Sequence, residues 1–236
     1  MNALRSIIFY IGYVVLVLFV AVVLSPIALC LPYKKRFPVL NLYNQAMMGW
    51  LSIACGIRID VTGREHLPKG ACVLLSNHQS EWETLFLQIL KPPVCTVLKK
   101  ELLNIPVFGW SLRLIRPIAL DRSSPTRALK QVIKEGPEKL KQGLSMLIFP
   151  EGTRLAPGER KPFAKSGALI ACRANCPVVP IAHNAGHCWL NNSWIKRPGR
   201  ITVVIGAPIE TVGRDAASVT EEAEGWINAE RERIGG

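Results

Sequence analysis

The chain has 236 residues, of which 49% are hydrophobic and 19% are charged, and its formal net charge is +12. Basic chains often bind nucleic acid, but no zinc-finger, helix-turn-helix or RNP pattern occurs in this sequence. An apolar segment occupies the N-terminus, so anionic lipid headgroups are the favoured partner of the positive charge. The length that remains after this segment is enough for one domain with a hydrophobic core.

The N-terminal segment has no charged residue from Ser6 to Tyr33, and Ile7 to Leu31 is almost wholly apolar. As a helix, this stretch would be roughly 37 Å long. A hydrocarbon core is about 30 Å thick, so the helix could cross it with a tilt. Pro26 would kink or end the helix. A signal peptide would be shorter and would precede a small-x-small cleavage site. No such site follows, so we expect an uncleaved membrane anchor.

The basic residues Lys34, Lys35 and Arg36 follow the apolar segment, whereas only Arg5 and the terminal amine precede it. This excess of positive charge places the downstream end in the cytoplasm. We therefore expect residues 1–36 to form a membrane-anchoring helix with a basic flank. The sequence does not decide whether the helix crosses the bilayer or lies in one leaflet.

Two further regions follow the anchor. Residues 37–58 have apolar positions at helical spacing and a modest polar face, which predicts a second amphipathic helix, either at the membrane interface or opening the globular core. In residues 59–236, apolar strands alternate with helices, which indicates a single α/β domain. The predicted strands are 71–76, 94–98, 117–120, 145–149, 178–182 and 201–205. The predicted helices are 83–90, 125–142, 164–174 and 218–233.

A histidine and a carboxylate follow the predicted strand that ends near residue 76. His78 and Glu83 lie five residues apart, at an edge where open α/β folds keep their chemistry. A neutral imidazole can remove a proton from a hydroxyl if a carboxylate fixes its tautomer. The spacing of Ser80 and Glu83 also fits a helix capping box. Glu83 could therefore be only a cap, and His78 only a polar loop residue.

Three other apolar runs end in similar polar or proline-bounded segments. Phe149 is followed by Pro-Glu-Gly-Thr-Arg, in which Gly152 permits a close backbone approach and Arg154 offers a planar fork for phosphate or carboxylate. Leu120 is followed by Asp121 and Arg122. The fourth run, 177–182, is bounded by prolines.

Seven cysteines are scattered along the chain without a Cys-x-x-Cys pair, which suggests a reducing compartment. A zinc site from His183, His187 and Cys188 is an alternative, because His-x-x-x-His can bind zinc on one helix face. However, Asn184 to Gly186 is typical of a loop, so we expect no metal there. No Gly-x-Ser-x-Gly nucleophile elbow is present, which disfavours a serine hydrolase.

Four ordered blocks resemble those of the glycerolipid acyltransferases, and most closely the bacterial 1-acyl-sn-glycerol-3-phosphate acyltransferases. The resemblance covers roughly residues 60–210, and four blocks in the right order are far more specific than one. In chain order, the matching residues are Asn77, His78 and Glu83; Leu120, Asp121 and Arg122; Glu151, Gly152, Thr153 and Arg154; and Val179, Pro180 and Ile181. This chain has Glu83 where the family usually has aspartate, and Arg116 where it usually has glycine.

The resemblance implies a fold and a set of roles. The fold would be a single glycerolipid-acyltransferase-like α/β domain with a mixed sheet flanked by helices, after an N-terminal membrane helix. His78 would be the catalytic base and Glu83 would orient it. Arg122 and Arg154 would bind the substrate phosphate, with help from Lys100. The remaining matched residues would support the motifs: Asn77, Glu151, Gly152, Thr153 and Pro180.

The resemblance also implies a reaction, in which a fatty acyl group passes from an acyl thioester to the sn-2 hydroxyl of lysophosphatidic acid. The donor would be acyl-CoA or acyl carrier protein, and the product would be phosphatidic acid for phospholipid biosynthesis. We expect no cofactor, no metal and no nucleic-acid partner, membrane lipids as further partners, and a cytoplasmic-side location on the bacterial inner membrane. Two alternatives remain: acylation of another lyso-lipid, such as a lyso-ornithine lipid or a lysophospholipid, and a non-catalytic membrane protein that binds lipid.

Overall fold

Two long helices open the computed structural model, which describes residues 1–106, 108–121 and 123–236. Helix α1 spans Asn2–Leu29. It contains a π-helical turn at Val20–Leu24, directly before Pro26. This turn lets the helix continue past a residue that cannot donate a backbone hydrogen bond. Helix α2 spans Tyr33–Cys55 and ends at Gly56, whose φ is 69°.

Helix α2 begins at Tyr33, directly after Pro32, and so starts earlier than the expected residue 37. Pro38 lies within the helix and does not interrupt it. The basic residues Lys34 to Arg36 therefore belong to the start of α2 and do not form a separate flank. Most of one side of α2 is buried, including Met47, Leu51 and Cys55. The helix is thus an opening core helix, one of the two alternatives that the sequence left open.

Seven strands form one sheet in the described residues, with the order β1-β7-β6-β2-β5-β3-β4. Neighbouring strands are parallel except for β6 and β7, which are antiparallel, so the expected mixed sheet is confirmed. The strands are β1 Ile57–Thr62, β2 Val73–Ser76, β3 Val94–Lys99, β4 Ile118–Leu120, β5 Ser145–Ile148, β6 Val178–His183 and β7 Gly199–Ile205.

Helices cover both faces of the sheet. They are α3 Trp82–Leu90, α4 Phe108–Leu114, α5 Pro125–Lys141, α6 Ser166–Ala174 and α7 Ala216–Arg233. Because strand side chains alternate between faces, Leu74 packs with α2 and α3, whereas Val73 and Leu75 pack with the helices of the opposite face. Strand β1 and helix α4 were not predicted from the sequence.

Helix α1 lies along the outside of the domain. At one end, the Ser6 hydroxyl accepts a hydrogen bond from the Lys196 amide at 2.8 Å, and the ring of Phe9 meets Trp189 edge-on at 5.3 Å. Near the other end, the hydroxyls of Ser25 and Ser111 form a hydrogen bond of 2.7 Å. Only 17% of the most apolar 18-residue stretch of α1 is buried, so α1 does not pack as a core helix.

The parallel strands β2, β5, β3 and β4 end at the same edge of the sheet. This edge therefore brings together the loop after Ser76, the loop after Ile148, Lys99 and the segment after Leu120. Within the described residues, the expected catalytic pair and the phosphate-binding candidates Lys100 and Arg154 follow strands that end here, as the rule for open α/β sheets requires.

Candidate active site

His78 and Glu83 are in direct contact. His78 lies in the loop between β2 and α3, and its Nδ1 is 2.8 Å from Oε1 of Glu83. The Glu83 side chain is fully buried, whereas 14% of the His78 side chain is exposed. The carboxylate thus fixes one ring nitrogen inside the protein, which leaves Nε2 as the nitrogen available to a substrate proton.

Glu83 also caps the start of α3. Its carboxylate accepts hydrogen bonds from the amides of Gln79 and Ser80, both at 2.7 Å, and from the Ser80 hydroxyl at 2.6 Å. Burial raises the pKa of Glu83, but the attraction of His183 and the hydrogen bonds from His78 and Ser80 outweigh it, and the net pKa lies well below its usual value. One ionised side chain therefore makes both the contacts expected of a cap and the contact with His78 expected of an orienting group.

The imidazole of His78 is held on its flat side by Phe149. The two rings are stacked, with centroids 4.1 Å apart and planes inclined by 11°. The carbonyl of His78 accepts a hydrogen bond from the Leu155 amide at 2.8 Å. The loop after β5 therefore restricts both the ring and the backbone of His78.

Asn77 joins the end of β2 to the end of β6. Its side-chain amide donates to the carbonyl of His183 at 2.9 Å, and its side-chain oxygen accepts from the His183 amide at 3.0 Å. The His183 ring bonds to the Asn77 carbonyl through Nε2 and to the Ala185 amide through Nδ1, so both nitrogens are occupied within the protein. Burial lowers the pKa of His183. In the described residues no cluster of three metal-ligating side chains occurs, and the zinc alternative has no structural support.

Glu151 points into the protein and not into the cavity beside His78. Its Oε2 accepts a hydrogen bond from the His78 amide at 2.6 Å, and its Oε1 is 3.1 Å from Nη1 of Arg231. Glu151 therefore supports the loop that contains the histidine.

Gly152 and Arg154 belong to the turn after β5. Gly152 has a φ of 70° and open space where a Cβ would lie. Its amide donates to the Phe149 carbonyl at 3.1 Å, so this amide is already used inside the turn. Nη1 of Arg154 is 3.1 Å from Oε1 of Glu81 and 3.4 Å from Oδ1 of Asn191. The Arg154 side chain is 31% exposed, so an anion can reach it without a rearrangement of the protein.

The other cationic candidates differ in position. Lys99 lines the cavity described below, whereas Lys100 is exposed and begins the 3₁₀ turn Lys100–Asn104. Arg116 lies over the ring of Tyr33, 5.1 Å from its centroid. Arg122 lies outside the described residues, so its phosphate-binding role stays a prediction.

A cavity of about 1030 Å³ opens beside His78. Its apolar wall comes from α1, α2, α4, α5 and β3, with Val20, Leu40 and Leu112 among the lining residues. Polar side chains also line it, among them His78, Lys99, Thr153, Arg154, Asn191 and Asn192. A largely apolar space that also carries cationic and polar groups suits a ligand with a hydrocarbon chain and an anionic head.

The remaining motif residue, Pro180, lies in the buried strand β6 opposite Leu75 of β2. Its carbonyl accepts a hydrogen bond from the Gly206 amide at 2.9 Å. Pro180 therefore shapes the sheet below the site.

Several residues around the site were not predicted from the sequence: Trp189, Asn191, Lys196 and Arg231. Trp189 donates from its indole nitrogen to Oε2 of Glu81 at 3.2 Å, and Lys196 lies over the Trp189 ring. Trp189 and Glu81 are 108 residues apart, so spacing along the chain gave no signal for their contact.

The arrangement places a histidine whose Nε2 can accept a proton beside a largely apolar cavity. A profile described as acyltransferase matches residues 58–184, which is more than half of the chain. The chain belongs to the acyltransferase family. The family resemblance drawn from the four sequence blocks is confirmed, and with it the expectation of an enzyme.

Relatives with curated names agree with this assignment. The chain is 47% identical over 208 residues to the 1-acyl-sn-glycerol-3-phosphate acyltransferase of Pseudomonas aeruginosa, an alignment that covers 86% of this chain and 80% of the relative. It is 35% identical over 183 residues to the enzyme of the same name from Limnanthes alba, covering 76% of this chain and 64% of the relative.

The fold also matches a solved structure. The Thermotoga maritima 1-acyl-sn-glycerophosphate acyltransferase PlsC superposes with a TM-score of 0.84 over 99% of this chain and 95% of its own. The sequence identity is 24%, so this likeness supports the fold alone.

Proposed function

We propose that this enzyme transfers a fatty acyl group from an acyl thioester to the sn-2 hydroxyl of 1-acyl-sn-glycerol-3-phosphate and so makes phosphatidic acid for phospholipid biosynthesis. The observation that supports this most is that His78, which Glu83 contacts from inside the protein, and Arg154 both line one largely apolar cavity. A base, a cation for phosphate and a space for a hydrocarbon chain are the three features that this acceptor needs. The names of the relatives support the same substrate.

His78 is the general base in the proposed mechanism. Its Nε2 takes the proton of the acceptor hydroxyl as the hydroxyl oxygen attacks the thioester carbonyl carbon. Glu83 stabilises the imidazolium that forms, as a buried carboxylate does in other base–orienter pairs. The tetrahedral intermediate then collapses, the C–S bond breaks, and the proton on His78 passes to the leaving thiolate. No covalent acyl-enzyme is needed, because a thioester is already an activated donor.

Arg154 binds the acceptor phosphate, and Arg122 is its proposed partner from the sequence motif. A guanidinium forms paired, charge-assisted hydrogen bonds with phosphate. Lys99 lies on the wall of the same cavity and adds positive charge there. Lys100, which is exposed on the adjoining turn, is a more distant helper.

The experiment uses purified enzyme, a labelled acyl thioester and a panel of acceptors. We expect transfer to lysophosphatidic acid and little transfer to monoacylglycerol, which has the same hydroxyl but no phosphate. Equal use of both acceptors would contradict the phosphate site, and a preference for a lyso-ornithine lipid or a lysophospholipid would replace the proposed acceptor. Parallel assays with acyl-CoA and acyl carrier protein identify the donor.

We also propose that the enzyme is attached to the cytoplasmic side of the bacterial inner membrane through α1, which lies in one leaflet. Contacts from Ser6 to Ser25 hold α1 against the domain, while Ile11, Val15 and Val22 on the other side are more than half exposed. A helix held along its length beside the cavity is suited to lie at the membrane surface and to face the acyl chains.

Membrane pelleting tests this attachment. The protein should stay in the pellet after washes in high salt or alkali, because apolar burial and not charge supplies most of the affinity. Ile11→Lys with Val15→Lys should weaken binding, whereas Val212→Lys, an equally exposed position in a loop near the start of β6, should not. Release of the unmodified protein by salt alone would contradict the proposal.

A further inference from the structure

Arg231 is a buried cation on the C-terminal helix α7, far along the chain from the catalytic motifs. Its side chain is 3% exposed. Nη1 is 3.1 Å from Oε1 of Glu151, and Nη2 donates to the backbone carbonyl of Glu159 at 2.8 Å. Buried arginines are rare unless they are paired, and this one is paired with a motif residue that is itself 1% exposed.

The second oxygen of Glu151 continues the connection to the catalytic loop. Oε2 accepts a hydrogen bond from the His78 amide at 2.6 Å. Arg231, Glu151 and His78 thus form a line from α7 to the residue that acts as base. The Glu83 contact fixes the ring of His78, whereas the Glu151 contact fixes its backbone.

We propose that Arg231 is a positioning residue for acyl transfer, which holds the carboxylate of Glu151 against the amide of His78 and thereby sets the direction of the imidazole. This inference rests on the proposed role of His78 as the base. Arg231 does not line the cavity in the described part of the chain, so it acts through Glu151 and not through the substrate.

The electrostatics of Glu151 explain why it needs a cation. Burial raises its pKa to about 7, although the His78 amide and Arg231 both lower it. The charged groups that face it are Arg231 on α7, Glu83 on α3 and Lys161 in the loop after β5. Arg231 is the one in contact, and its loss should raise the pKa of Glu151 further. A protonated carboxyl is a weaker acceptor for the His78 amide.

The variant Arg231→Met tests this with a side chain of similar length and no charge. We expect turnover to fall by about tenfold to a hundredfold at pH 7, since a hydrogen bond to a charged group is lost. The loss should shrink at higher pH, because Glu151 ionises again as the pH passes its raised pKa. The KM for the acceptor should change little.

The double variant Arg231→Met with Glu151→Gln separates positioning from simple destabilisation. Glutamine is neutral at every pH and can still accept from the His78 amide. Turnover should therefore recover above that of Arg231→Met, and the alkaline shift of the pH profile should disappear. Arg231→Lys, which retains the charge, should lie between the wild type and Arg231→Met. This variant and the double variant also serve if Arg231→Met fails to fold.

The control is Arg233→Met on the same helix, where an exposed arginine pairs with Glu230. It removes the same charge and should keep the wild-type turnover and pH profile. An Arg231→Met enzyme with a wild-type pH profile, or with a raised acceptor KM and unchanged turnover, would overturn the inference. If the wild type itself fails to acylate lysophosphatidic acid, the proposed function is wrong, and that outcome is distinct from either result for Arg231.

Discussion

The two ends of the active site are built in opposite ways. At the base, Glu83 is fully buried and receives four hydrogen bonds from His78, Gln79 and Ser80. At the proposed phosphate end, Arg154 is partly exposed and contacts Asn191 and the half-exposed carboxylate of Glu81. The carboxylate at one end is buried and held by several hydrogen bonds, whereas the guanidinium at the other end is partly exposed and paired with an exposed side chain.

This difference fits the proposed roles of the two ends, proton transfer at His78 and phosphate binding at Arg154. A general base has to keep one direction through the reaction, and buried hydrogen bonds supply that because each is strong in a low dielectric. A phosphate must enter and leave, so its cation must be reachable and its resting partner must be easy to replace. The exposed Glu81–Arg154 pair meets this need, since surface ion pairs contribute little free energy.

The largest effect is expected at the fixed end. His78→Ala should reduce turnover by roughly a thousandfold or more, because the general base is removed. Thermal stability should change little, since part of the ring faces the cavity. Turnover at several substrate concentrations and a melting curve check this. His187→Ala, which removes an exposed histidine, is the control. Near wild-type turnover in a folded His78→Ala protein would remove His78 from the mechanism.

Glu83→Gln should come next, with a smaller loss of turnover than His78→Ala because the base remains but its orientation is impaired. This variant should also lower stability by about 0.5–2 kcal/mol, the usual cost of a lost helix cap. Ser80→Ala is the matched comparison, because it removes only one of the hydrogen bonds to Glu83. If both variants lose turnover equally, Glu83 acts as a cap alone.

Arg154→Ala should change binding more than chemistry. We expect the KM for lysophosphatidic acid to rise by about tenfold to a hundredfold, in keeping with the loss of a charge-assisted contact, while the donor KM stays constant. Arg122→Ala should behave in the same way if its predicted role is correct. Arg160→Ala is the control, because Arg160 is half-exposed and pairs with Glu232. A change in the donor KM alone would assign Arg154 to the thioester carrier.

The smallest effect is expected for Glu81→Gln. Removing this carboxylate should lower the acceptor KM by no more than about fivefold, since the exposed pair it forms with Arg154 is weak. Steady-state kinetics at low and high salt check this, because the difference should narrow as salt screens the charge. A large rise in KM would mean that Glu81 fixes Arg154 firmly, and the contrast between the two ends would be lost.

The local parts of the site could be predicted from the sequence, and the distant parts could not. His78 and Glu83 lie within one turn of a helix start, so their spacing was informative. Arg231 and Lys196 reach the site only through tertiary packing. In the fold, β1 was missed although Ile57 to Thr62 alternates apolar and polar residues, as an edge strand does, because its first residues were assigned to the preceding helix. Helix α4 was missed because it has only seven residues.

The pairing of β1 with β7 also determines the order in which the protein can assemble during synthesis. Ile57 pairs with Gly199, so β1 has no neighbour until about 140 further residues have been translated, which takes roughly 7–30 s. Lys196, which anchors α1 through Ser6, emerges equally late. The end of α1 that later contacts Lys196 is therefore exposed to the ribosome exit and the bilayer before the domain is complete. Ribosome-bound chains stopped before residue 196 should already associate with membranes.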